Sequence, residues 1–164
     1  MGFERFPERL PTTMIRTIYL SRANQAFSHE ELEAMCVNFA AANQGRDITG
    51  VLLRIGNYFV QVLEGEEVVV NELMRKIRLD SRHGAVTTLL EQPNTQRAFA
   101  DWSMNLIDCE TTYYVNFLKL LELRKQIANM ISATHARQEQ FSALVLELVN
   151  SIRASTSRES VATV

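Results

Sequence analysis

Tyr19, Asn43 and Gln61 are the residues of this chain whose types could do chemistry together. Gln61 sits in Asn57-Tyr58-Phe59-Val60-Gln61-Val62-Leu63-Glu64-Gly65, where it is an amide with two donors and two acceptor sites among hydrophobes. A buried amide needs a partner, which is either a neighbouring group or a polar ligand. Tyr19 either packs with its hydroxyl satisfied locally or offers that hydroxyl to the same place. Asn43 either ends a helix by bonding its last carbonyls or contacts a ligand. No metal chemistry is visible, because Cys36 and Cys109 are isolated and His29, His83 and His135 form no ligand-spaced cluster with them or with acids.

The elements that position these groups follow from periodicity. The run 58–65 predicts a strand with both faces apolar, hence a strand inside a covered sheet. Gly56-Asn57 links it as a hairpin to a strand over 47–55. Residues 15–21 predict a first strand, with Thr17, Tyr19 and Ser21 facing one way and Ile18 and Leu20 the other. Ser28-His29-Glu30-Glu31 is a capping box that starts a helix. Its buried stripe is Leu32, Met35, Cys36, Phe39 and Ala40, and Asn43 is next in the series. Glu66 and Glu67 suit the start of a second helix, with Val70, Leu73, Met74 and Ile77 on its buried face, ending near Asp80.

A polar turn at 80–84 leads to a fourth strand over 85–90, and Phe99 to Leu106 predicts a fifth. In that strand Trp102 and Met104 share one face and Ser103 takes the other. Beyond Thr111 the period becomes helical. Tyr114, Phe117, Leu118, Leu121, Ile127, Met130 and Ile131 stripe one helix, and Phe141, Leu144, Val145, Leu148 and Ile152 another, with a turn around Ser132 to His135.

The order predicts an α+β chain: a ferredoxin-like βαββαββ sandwich with a mixed five-stranded sheet, two helices on one face and two C-terminal helices on the other. The boundaries drawn are a flexible extension over 1–13, a ligand domain over 14–108, a helical cap or output segment over 109–154 and a flexible tail over 155–164. If the first strand lies beside the third, the polar ends of Tyr19, Asn43 and Gln61 converge between sheet and helix.

Composition narrows the class. The 164 residues give one domain with a core large enough to need no staples. A net charge of −2 without a basic face argues against nucleic acid as a partner. No run approaches membrane-spanning length and the amino terminus carries no signal peptide, so the expected location is the cytoplasm, with no membrane partner.

Over residues 15–107 the chain resembles the BLUF domains, which sense blue light using FAD. The resemblance rests on Ile18-Tyr19-Leu20-Ser21-Arg22, the segment from Asn43 to Ile48-Thr49-Gly50, Phe59-Val60-Gln61-Val62-Leu63-Glu64-Gly65, Asp80-Ser81-Arg82-His83 and Trp102-Ser103-Met104. It implies a non-covalent FAD between the first two helices, with Tyr19 as the photoactive tyrosine, Gln61 as the essential glutamine and Asn43 as the flavin anchor. Trp102 and Met104 match the family's signalling pair, and Ile48 lies in a matching flavin-binding segment. Lys76, Asp80 and Arg82 are placed as ribose or phosphate contacts, a surface salt-bridge network being the other explanation. One departure is Ala42, where many members carry a second polar residue before the asparagine.

The implied activity is light-driven electron and proton transfer from tyrosine to flavin, followed by glutamine rearrangement. With no enzymatic domain expected in the chain, the output is light-dependent association with a protein partner, or a change in a homo-oligomer. The alternatives are a flavin-dependent oxidoreductase and a flavin-free ferredoxin-like regulatory module.

Overall fold

A computed structural model describes residues 12–94, 96–111 and 117–159 of the chain, the side chains of 158 and 159 excepted. Its five strands are β1 (Met14–Ala23), β2 (Thr49–Ile55), β3 (Tyr58–Glu66), β4 (His83–Pro93) and β5 (Asn105–Asp108). They form one sheet in the order β4-β1-β3-β2-β5. β1 pairs antiparallel with both β3 and β4, and β2 pairs antiparallel with β3 but parallel with β5, so the sheet is mixed. β3 lies in the middle, as its two apolar faces require. The β2–β3 connection is the Gly56-Asn57 loop, in which Gly56 takes the positive φ of 58° that a tight hairpin demands at that place.

Alternation along the strands divides the interior into two cores. On one face Ile15, Tyr19, Leu52, Phe59 and Leu63 pack against α1 (His29–Gln44) and α2 (Glu67–Leu79). On the other, Ile18, Leu20, Val51, Leu53, Val60 and Val62 pack against α3 (Phe117–Ile127), a short 3-10 turn (Met130–Ser132) and α4 (His135–Glu159). The fold is therefore the α+β ferredoxin-like sandwich, with two helices on each face.

Four expectations are corrected. The fifth strand does not span 99–106: residues 99–104 form turns and bends, and the strand proper starts at Asn105. The physical reason is that the carbonyls of this stretch are claimed by other elements, Trp102 O by the Gly50 N–H at 2.7 Å and Ser103 O by the Asn43 side chain at 2.9 Å. The third helix buries Leu120, Leu123 and Ile127 and ends there, with Met130 buried from the 3-10 turn that follows, while Phe117, Leu118 and Ile131 of the expected stripe are exposed. Tyr114 lies outside the described residues. The fourth strand is longer than 85–90, and it carries register shifts against β1 where β4 holds extra residues opposite Tyr19 and Ser21. The helix assigned to α4 continues through Ser155 to Glu159; residues 1–11 and 160–164, within the segments read as flexible, lie outside the described residues.

Candidate functional site

Asn43 is delivered by the capping box. Ser28 Oγ accepts from the Glu31 N–H at 3.2 Å and Glu31 Oε2 accepts from the Ser28 N–H at 2.7 Å, which fixes the first turn of α1. From that start Leu32, Cys36 and Asn43 fall on the buried face. The Asn43 carbonyl accepts from the Arg46 and Ile48 amides at 3.0 Å and closes the helix. Its side chain does something else: Nδ2 donates to the Ser103 carbonyl, tying α1 to the segment before β5.

Tyr19 and Gln61 stand directly opposite each other in the β1–β3 register. The Tyr19 hydroxyl donates to Gln61 Oε1, and Gln61 Nε2 donates to Met104 Sδ at 3.2 Å. All three side chains are buried. Burial pushes the Tyr19 phenol far above its ordinary pKa; the Asp80 charge adds to this and the Arg82 charge opposes it. The phenol therefore keeps its proton and acts as a donor.

Above this relay lies a cleft of about 220 Å³ between α1, α2 and the sheet. Its walls are Met35, Phe39 and Ala42 from α1, Leu73 and Ile77 from α2, and Leu52 and Phe59 from the sheet. Tyr19, Asn43 and Gln61 supply buried polar groups, and Arg46, Lys76, Asp80, Arg82 and His83 complete the lining. An apolar slot with a few convergent polar groups and cations at its exposed rim has the chemistry of a site for a flat heteroaromatic ring carrying an anionic tail.

The remaining expected residues divide. Asp80 and Arg82 line the cleft, and they also form the alternative salt bridge, with Arg82 Nε donating to both Asp80 oxygens at 2.9 Å. Those bonds hold the Asp80 carboxyl below its ordinary pKa, and the Arg82 guanidinium lies 5.2 Å over the Phe39 ring. Lys76 lines the cleft while pairing with Glu72 at 3.3 Å. Ile48 is buried in the core on the helix side and does not line the cleft. Trp102 and Met104 do not share a face, contrary to the strand reading. Met104 is buried in the core beneath the cleft, whereas Trp102 packs with the opposite core, stacked on Phe99 at 5.8 Å. With no strand at 99–104, the two-residue alternation has nothing to act on.

Several contributors were not singled out from sequence. Arg46 and His83 line the cleft. His83 Nε2 donates to the Ile77 carbonyl at 3.0 Å, so its Nδ1, 2.7 Å from Ser21 Oγ, accepts from that hydroxyl in the neutral ring, the form that burial favours by lowering its pKa. Glu64 is fully buried and accepts from Arg16 Nε at 2.9 Å, Ala98 N at 3.0 Å and Phe99 N at 3.0 Å. A carboxylate inside an apolar strand was the available signal, since a buried charge demands partners.

The family described as sensors of blue light using FAD, BLUF, matches residues 14–105. The chain is 35% identical over 94 residues to photoactivated adenylate cyclase subunit beta of Euglena gracilis, covering 57% of this chain and 11% of that protein. A bacterial light-regulated adenylyl cyclase structure superposes with a TM-score of 0.65 and 32% identity, over 71% of this chain and 34% of that one. The dark-state structure of BlrB, a BLUF protein, does so with a TM-score of 0.64 and 25% identity, over 85% of this chain and 97% of that one. The chain thus spans about a tenth of the length of the cyclase subunit it matches.

Proposed function

Because the chain belongs to the BLUF family, sensors of blue light using FAD, we propose that its light signal is generated at Tyr19 and Gln61 and leaves the site through Met104. BLUF domains bind flavin; that this one takes FAD is supported by the cationic groups Arg46, Lys76 and Arg82 on the cleft, which suit a diphosphate. Met35, Phe39, Leu73 and Ile77 would hold the ring, and Asn43 and Gln61 would meet its polar edge. Ala42 offers no polar group where it lines the wall. When bound, the flavin supplies blue absorption and a photochemical acceptor for one electron and one proton.

The observation that carries the proposal is the relay Tyr19 Oη to Gln61 Oε1 and Gln61 Nε2 to Met104 Sδ. Tyr19 holds its proton in the dark and shares it with Gln61. A thioether only accepts. If the Gln61 amide rotates, Oε1 meets Met104 Sδ, two acceptors face each other and that bond is lost. Rearrangement at Gln61 thereby reaches the segment 102–104, whose backbone is bonded to β2 and α1. The output follows as altered packing of α3 and α4 and altered contact with a protein partner or a second copy.

The test is Tyr19→Phe and Gln61→Ala. Both variants are expected to bind flavin and to lack the reversible light-induced red shift. A normal photocycle in either variant overturns the proposed route.

A further inference from the structure

Arg153, on α4, makes three contacts with one turn. It donates through Nη1 to the Ala98 carbonyl and through Nη2 to Asp101 Oδ1, and its guanidinium lies 5.3 Å over the Trp102 ring. Trp102 is itself stacked on Phe99, with the rings within 15° of parallel. The planar fork of arginine suits this geometry, meeting two oxygens and an aromatic face at once.

The turn Arg153 holds is continuous with the relay. Residues 102, 103 and 104 are each tied to a different element: Trp102 O to Gly50 of β2, Ser103 O to Asn43 of α1, and Met104 Sδ to Gln61 of β3. A displacement of Met104 is therefore passed along three consecutive residues to the indole under Arg153. Resting on the reading that Gln61 rearrangement releases Met104, we propose that Arg153 is a positioning residue that couples α4 to that rearrangement. It grips the 98–102 turn in the dark arrangement, and movement of that turn loosens the carboxy-terminal half of α4. Nothing in the light chemistry passes through Arg153, which lies on the opposite side of the sheet from the cleft.

The test uses the full chain loaded with FAD and measures amide hydrogen exchange of α4 in the dark and under blue light. The wild type is expected to show a reversible red shift and faster exchange over residues 148–157 in light. Arg153→Gln should keep the red shift while its light-minus-dark exchange difference falls at least about 2-fold, the factor to which a weak cation–π contact corresponds. Asp101→Asn, an exposed change that leaves the arginine in place, should reduce the same difference and decides the matter if Arg153→Gln does not fold. If α4 exchange rises equally in dark and light and the difference persists, Arg153 is a staple and the coupling role is wrong. A wild type whose α4 exchange ignores light also overturns it. Loss of the red shift in the wild type instead overturns the underlying site reading, so the two failures are distinct.

Discussion

Gln61 is held at its two ends by groups of opposite capability, a phenol that donates and a thioether that accepts. That asymmetry makes the amide orientation a stored state, since only one orientation satisfies both neighbours. Tyr19 contributes the other half by remaining protonated. Its raised pKa has a direct consequence: the alkaline ultraviolet titration of the flavin-free Tyr19→Phe variant should match that of the wild type up to about pH 11, because Tyr19 does not ionise in the ordinary phenol range near 10. A smaller tyrosinate signal in the variant would show that Tyr19 is solvated. Asn43 and Gln61 were legible in sequence because each is a polar residue on an otherwise apolar face, and Tyr19 because it is an aromatic with a polar tip set in a strand. Arg46 was not, because it sits on a turn, where no period says which way a side chain points, and neither was His83, which was read as part of a polar turn but opens β4.

At the scale of elements, two buried carboxylates organise the surroundings of the site. Glu64 on β3 gathers Arg16 from β1 and the amides of Ala98 and Phe99, and so fixes the start of the turn that carries Trp102 and Met104. Glu64→Gln removes the charge of a buried pair and is expected to lower stability by about 3 kcal/mol, read from denaturant unfolding. An unchanged midpoint would mean that the pair contributes nothing. Asp108, at the end of β5, accepts from Arg54 Nε at 2.7 Å and lies 2.8 Å from His29 Nδ1 at the start of α1. Burial opposes its ionisation, but the bonds from Arg54 and His29 prevail and lower its pKa, and the bond to Asp108 raises that of His29. A raised histidine stabilises the fold fully below its unfolded value of about 6.5, and that stabilisation is lost as pH rises through the folded value. The lowered aspartate stabilises above about 3.9 and loses this as pH falls through its folded value. His29→Gln should therefore flatten the decline in Tm that the wild type shows above about pH 6.5, and an identical decline in both proteins would remove His29 from that role. The first three strands and the first two helices were readable, the helices because their apolar residues choose one face and β3 because both of its faces are apolar. α3 was not: Phe117, Leu118, Leu120, Leu121 and Leu123 surround it with apolar side chains, so packing against the sheet and α4 selects the buried face.

Across the whole molecule, the sheet separates a sensing core, under α1 and α2, from a second core, under α3 and α4. The segment 99–104 crosses between them, with Met104 packed into one core and Trp102 against the other. This is why losing the strand expected there matters: a turn bonded to three elements can shift where a paired strand would be held by its ladder. Among the described residues, no helix is long and apolar enough to cross a membrane and no group of three metal-ligating side chains occurs. The most direct test of the light-sensing site is the visible absorption of the FAD-saturated chain before, during and after blue illumination. A small, fully reversible red shift of an oxidised flavin spectrum is the predicted result. Bleaching to a reduced flavin without that shift, or no bound flavin, would contradict it.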